Sequence, residues 1–301
     1  MAWAIYGATG KRTLGATTIF LRWTALSFRT VRGGLRDDFG IAASSIAFAA
    51  FLAIVPLVGL VAGAYGFFVP AATVARNLST LTAIMPLDAR SIIERGLHNS
   101  LTTDRTSVAT LIVSIGITLF SARRAGRSLL HGINLAYRIE RERRGLRRQL
   151  ASTALVLGCA AIVLTALVSL SILAFLQSYV PDGLPGAQFV SAATLFGSLT
   201  LGAGAGLILM YRYAPAAQKP IAWRDALPGT IAGVAMWLAA TLLFRTYVAH
   251  VARFDDTYGS LAAVVVLMLW LMVSAWALLL GARLNAEAMA DVGTAIEELS
   301  E

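Results

Sequence analysis

The sequence predicts an all-α membrane protein: a polytopic bundle of six transmembrane helices, with an N-terminal amphipathic interfacial helix and short outer-surface helices. Three observations predict it. First, hydrophobic residues make up 57 % of the 301 and charged residues only 14 %, with a mean hydropathy of +0.72. Soluble domains run about 45–50 % apolar and about 25 % charged, so polar surface is too scarce here to cover a globule in water. Second, six apolar stretches approach or exceed the roughly 20 residues that cross a bilayer as helix. Third, the basic residues sort to one side of those stretches. The same composition excludes a disordered chain. The single cysteine, Cys159, excludes an intrachain disulfide.

The chain divides into a cytoplasmic and interfacial segment (1–40), a six-helix domain (41–285) and an acidic cytoplasmic tail (286–301). The start MAWAIYGATG lacks a basic region ahead of its apolar residues, so no removable signal is expected. Within residues 14–36, Arg22, Arg29, Arg32 and Arg36 gather on one side of a helix, opposite Phe20, Trp23, Val31 and Leu35. That pattern suits a helix lying in the membrane interface. Gly33 and Gly34 are expected to end or bend it, and Asp37-Asp38 to start the next helix.

The first span, about 41–69, has no charge and a kink expected at Pro56. The outer segment 70–106, divided by Pro70 and Pro86, has helical spacing in both halves and should hold two short helices. The second span, about 107–122, is short, at roughly 24 Å of helix. Its helix should therefore run on into the basic connector 122–148. There Arg124, Arg127, His131, Asn134 and Arg138 form one polar stripe. The third span covers about 150–180 and the fourth about 187–211. The fifth, about 226–252, contains Arg245, and the sixth covers about 259–282. With this register nineteen basic residues fall on one side and five on the other. The excess of positive charge marks the cytoplasmic side, which puts both termini in the cytoplasm of a bacterial inner membrane protein.

Four runs in the C-terminal half carry a resemblance. They are Tyr211-Arg212-Tyr213-Ala214-Pro215, Trp223-Arg224-Asp225-Ala226-Leu227-Pro228-Gly229, Tyr258-Gly259-Ser260-Leu261-Ala262 and Leu279-Leu280-Gly281-Ala282. In that order and spacing they resemble the YihY/BrkB family of bacterial inner-membrane proteins. Pro56 in the first span and Asn134 with Arg138 are similar to family features too, so the likeness covers about 35–287. The resemblance implies a six-span bundle, and roles in transport or envelope lipid organisation; some members carry an old ribonuclease label. Two positions depart from the pattern. Arg283 stands where members often have an acid, with Glu287 one turn later able to compensate, and Phe48 stands where tyrosines are usual.

The residues speak against a nuclease. Metal-assisted or acid–base hydrolysis needs carboxylates or histidines held together. His98, His131 and His250 lie on separate segments, and no HxH, HExxH or DxD cluster occurs. No GxxxxGK[ST] loop is present for a nucleotide. No metal, cofactor or specific nucleic-acid partner is expected. The pairs Gly59/Gly63, Gly202/Gly206 and Gly229/Gly233 are GxxxG faces, suited to close helix packing or, with Pro56 and Pro228, to a hinging surface.

Two functional readings stay open. In one the protein transports or flips an anionic lipid or other anionic amphiphile. Arg123, Arg124, Arg127, His131, Asn134 and Arg138 would form its anion site. Arg245, with Asp255, Asp256 and Tyr258, would line an intramembrane path, since an arginine within lipid needs a partner or a wet cavity. In the other it is a non-transporting membrane scaffold with a dry, filled bundle. The expected partners are membrane lipids, anionic ones above all. A second copy of the chain or an envelope protein is left open.

Overall fold

The computed structural model describes residues 26, 29–65, 71–81, 90–92, 94, 108–140, 145–177, 187–217, 219–250 and 261–297. They are helical throughout, with no strand among them. The elements are α1 (Arg29–Arg36), α2 (Phe39–Tyr65), α3 (Ala71–Leu81), α4 (Val108–Ala136), α5 (Gly145–Gln177), α6 (Ala187–Tyr213), α7 (Trp223–His250) and α8 (Ala262–Glu297). The described part of each of the six apolar stretches falls almost wholly in one of the long helices α2 and α4–α8. Among the described residues three helical stretches are long and apolar enough to cross a membrane: Gly145–Thr165, Trp223–Val248 and Ala262–Asp291. The bent pair Arg29–Arg36 and Phe39–Ile54 makes a fourth.

α8 is the central post. It packs most extensively on α7, then on α2 and α4, while α6 leans on α7 and α5 on α4 and α6. The alternation of sizes explains these contacts. On α2, Phe39, Ala42, Ala43, Ile46, Ala47 and Ala53 are buried, whereas Ile41, Phe48 and Leu52 are exposed on the opposite face. This is the three-to-four-residue spacing of a helix buried on one stripe. Small residues on the buried stripe let backbones approach where no water is present to drive association. Ile46 meets Gly132 of α4, whose missing side chain leaves it room. The extension predicted for the second span is observed as far as Asn134: α4 runs unbroken from Val108 to Ala136, and Arg138, the last residue of the predicted stripe, lies beyond its end.

Several expectations need adjusting. Gly33 and Gly34 do not end α1; the chain turns by 74° at Asp37-Asp38 instead. Asp38 takes a left-handed conformation (φ 53°) and its carbonyl accepts the first bonds of α2 from Ile41 and Ala42. The glycines instead let α1 press onto α8, with Arg283 and Leu280 filling the space their side chains would need. Helix α8 continues past residue 285 to Glu297, and Asp291 pairs with Arg29 at 3.0 Å. The start of the acidic tail is therefore helical and docked on α1. Pro56 lies within α2, which stays helical to Tyr65. In the outer segment, α3 fills the first predicted half, and residues 90–92 and 94 are helical in the second, with Arg90 paired to Glu94 at 2.6 Å.

Candidate functional site

Two features at the arginine-rich end of the bundle stand out: a buried ionic knot and an open apolar groove. The knot is centred on Arg283, whose side chain is fully buried. Its NH2 nitrogen approaches Asp37 Oδ2 at 2.7 Å and its Nε approaches Glu287 Oε1 at 3.1 Å. Neither N–H points squarely at its oxygen, so these are ionic contacts rather than aligned hydrogen bonds. NH1 donates to the Ala136 carbonyl at 3.3 Å. Glu287 also holds Arg138 at 3.2 Å. The knot thus ties the α1–α2 turn, the end of α4 and the C-terminal part of α8. A buried charge survives only when so matched.

The end of α4 is shaped for this contact. Ile139 N–H donates to the Asn134 carbonyl and Arg138 N–H to that of Leu135, which closes the helix in a Schellman turn. Arg138 occupies the left-handed position (φ 54°) usually given to glycine, at a cost of roughly 1–2 kcal/mol. Its guanidinium is thereby turned to Glu287. The Asn134 side chain, buried, accepts from the Ala216 N–H at 2.9 Å and fixes the α6–α7 connection to α4.

A second buried polar residue, Asn285, ties α8 to the first turns of α7 on either side of Pro228. Asn285 Oδ1 accepts from Gly229 N–H at 2.6 Å, and its Nδ2 donates to the Ala226 carbonyl at 3.1 Å and to the Tyr137 hydroxyl at 3.2 Å. Burial pushes the Tyr137 hydroxyl up to about 12. Nearby, Tyr211 donates to the Leu278 carbonyl at 2.7 Å. The Arg212 guanidinium lies 4.5 Å from the Trp223 ring and 5.2 Å from the Tyr213 ring, a cation–π clamp across the connection.

The groove lies between α5 and α6, with Leu130 of α4 at its floor. It encloses about 840 Å³ and is open along its side, a size typical of ligand sites. Its walls are almost wholly apolar or small, among them Leu155, Gly158, Ile162, Gly202, Gly206 and Met210. Among the described lining residues Arg147 alone is charged, and it sits with Tyr213 at one end. Along α5 the lining runs from Arg147 to Thr165, roughly 27 Å of helix, against a hydrocarbon core of about 30 Å. Only 6 % of the α5 span is buried by protein, against 33 % of the α8 span. The walls of the groove are therefore turned outward, not into the bundle.

Of the described residues singled out in the sequence, Gly202 and Gly206 line the groove, and the arginines do not. Arg123, Arg124, Arg127 and His131 are exposed on α4, and Arg138 is mostly exposed although it reaches Glu287. The stripe is thus not a buried basic site; Asn134 is its buried member, and it holds backbone. Arg245 is exposed on α7, while Asp255, Asp256 and Tyr258 lie outside the described residues. Gly229 and Gly233 do pack on α8 at Gly281, and Pro228 lies inside the first turns of α7. Gly206 meets Ile162, but Gly202 has nothing within 4 Å and opens onto the groove. Gly59 and Gly63 lie in α2; their surroundings are outside the described residues.

Sequence reasoning placed Arg283 just after the last span and Asp37 at a helix start; the structure pairs them, with Arg283 fully buried and Asp37 a third exposed. The basic imbalance that sets orientation survives without Arg283. Asn285 and Arg147 were missed as functional candidates. The available signal was polarity out of place: a buried-type arginine and asparagine two residues apart next to an apolar helix demand partners. Among the described residues no group of three or more His, Cys, Asp or Glu is gathered as for a metal.

Comparison with known proteins adds the following. A family profile described as virulence factor BrkB matches residues 30–298. The ribonuclease-like protein YfkH of Bacillus subtilis is 28 % identical over 218 residues, 69 % of this chain and 76 % of that protein. A UPF0761 membrane protein of Pseudomonas aeruginosa is 34 % identical over 158 residues, 50 % of this chain but only 36 % of its own length. A UPF0761 membrane protein of Tolumonas auensis is 33 % identical over 81 residues, 27 % of this chain and 26 % of that protein. No solved structure matches.

Proposed function

The chain belongs to the BrkB family, and on that premise we propose that it is a non-enzymatic, six-span protein of the bacterial cytoplasmic membrane that moves an anionic amphiphile between leaflets. Both termini lie in the cytoplasm in this reading, as the distribution of basic residues asks. The observation that carries it is the groove between α5 and α6. It is apolar, faces outward, and runs along nearly a bilayer thickness of α5 from a cationic end. A lipid-facing trough of that length seats an acyl chain along its apolar walls, with the head group at the cationic end from which passage would begin. The ribonuclease-like name of the Bacillus relative brings no chemistry to these residues, whose acids Asp37 and Glu287 are paired with Arg283 and Arg138.

The test is a scrambling assay in vesicles of phosphatidylcholine containing a fluorescent phosphatidylglycerol. Wild-type protein should speed loss of the inner-leaflet signal to an external quencher, and Gly158→Leu should return it toward the protein-free rate. Equal rates with and without wild-type protein would defeat transport. One observation favours a second reading, a scaffold: among the described residues, the surroundings of Arg283 and Asn285 are closely packed, both side chains being fully buried. In that case partner proteins or other copies of the chain, rather than lipid flux, would depend on the fold.

A further inference from the structure

We propose that the α5–α6 groove holds one anionic phospholipid of the cytoplasmic leaflet as a defined binding site, with Arg147 as its head-group ligand. The inference rests on reading the groove as an amphiphile path, and it names the lipid class and the residue that selects it. Four observations carry it. The occupant must be apolar over most of its length, because the lining between Leu150 and Ile162 on α5 and between Gly202 and Met210 on α6 offers almost no polar atoms. It must be charged at one end only, because Arg147 is the single charged group among the described lining residues. That charge is negative, by complementarity. And the occupant comes from the bilayer, because α5 is the candidate span least covered by protein.

The position of Arg147 suits a phosphate. Its neighbours Leu146 and Leu150 are exposed apolar residues, so it stands where the apolar surface begins. An arginine there lays its stem along that surface and keeps its head at the polar boundary. The planar guanidinium offers two parallel N–H groups to phosphate oxygens, which an ammonium does not. Among the described residues Arg147 has no carboxylate partner to compete, unlike Arg29, Arg138 and Arg283. On the facing wall Tyr213 is held by the Arg212 guanidinium at 5.2 Å, which fixes the rim opposite. Gly158 and Gly202 have nothing within 4 Å of where a side chain would begin. Those two vacancies, one on each wall, are the seat of the acyl chain.

The experiment uses the full chain in mild detergent with equal amounts of phosphatidylglycerol and phosphatidylcholine, and counts retained lipid by native mass spectrometry. Wild type should retain about one lipid with phosphatidylglycerol favoured about fivefold, the effect of one basic group near anionic lipid. Arg147→Gln should keep the bound lipid and lose the preference. Arg224→Gln, which removes an exposed charge at the start of α7, should change neither. Gly158→Leu and Gly202→Leu, each adding a side chain into open space, should each lose most of the bound lipid while thermal stability holds. An undiminished preference in Arg147→Gln, or wild-type lipid retention in both filled variants, would overturn the site. The scrambling assay is independent of this outcome. Lipid selected by Arg147 in a protein that scrambles nothing supports the site and removes only the transport reading.

Discussion

The α7–α8 contact and the α5–α6 contact are both built on glycine pairs in apolar helices, and they come out opposite. At the first, the Gly281 position lies against the Gly229 carbonyl, 2.7 Å from where a side chain would begin, with Gly233 and the Tyr211 hydroxyl beside it. Backbone meets backbone; Asn285 adds hydrogen bonds across the crossing, and Tyr211 of α6 donates to the α8 backbone beside it. At the second, Gly158, Gly197 and Gly202 meet nothing within 4 Å. Here glycine leaves a vacancy, and the two helices separate into a trough. A small residue in lipid permits close approach, but it does not enforce it. What enforces it at α7–α8 is a set of buried polar groups that only the neighbouring helix can satisfy. Between α5 and α6 the described lining holds few such groups, and lipid can take the place of protein.

The sharpest way to break this contrast is Gly281→Val. No rotamer avoids the Gly229 carbonyl, so α7 and α8 must part. A loss of at least about 3 kcal/mol is expected, read as a collapse of the thermal unfolding temperature in detergent. The next largest effect is expected for Arg283→Met, which takes the buried cation from Asp37 and Glu287. Breaking a fully buried pair costs about 3–5 kcal/mol, but Asp37 is a third exposed, so about 2–3 kcal/mol is expected. Adding Asp37→Asn should recover part of it. A double mutant as unstable as the sum of its parts would show that the two groups do not interact.

A smaller effect concerns pH. Tyr137 is held neutral in the fold to about pH 12, against an ordinary value of 10.0. The folded state therefore keeps its proton after the unfolded chain has lost it. Stability should be intact below pH 10 and fall between pH 10 and 12. Tyr137→Phe should remove that alkaline step, which denaturation followed at several pH values would show. Smallest of all is the effect of Gly202→Leu on stability, expected within about 0.5 kcal/mol of wild type. Together with the Gly281→Val result, it would establish that the glycines of the two contacts do different work.

Much of the helical architecture is legible along the chain. The apolar runs mark where the long helices lie, because length and hydropathy decide what lipid accepts, although α4 and α8 run on well past theirs. The shortness of the second apolar run foretold that α4 would extend into its basic stripe, and Gly229/Gly233 were readable as a packing face. Other features were not. Arg127 and Arg283 are both arginines beside an apolar helix, yet one is exposed and one fully buried. Nothing in their immediate neighbours separates them. The difference is made by Asp37, at the far end of the chain, and by Gly33, whose missing side chain leaves room for the guanidinium. Gly33-Gly34 read as a helix end for the same reason, since local propensity cannot see a helix pressing from outside.

The sequence by itself determined that this is a helical membrane protein, where its long helices fall and how its positive charge is distributed. These follow from the composition and order of residues against a solvent of fixed thickness and polarity. Only the tertiary structure decided which charges are buried, which glycines touch and which stand open, and that one flank of the bundle carries a trough with Arg147 at its end. Those outcomes depend on contacts between residues distant in the chain, where the energy of a polar group is set by what another helix brings to it.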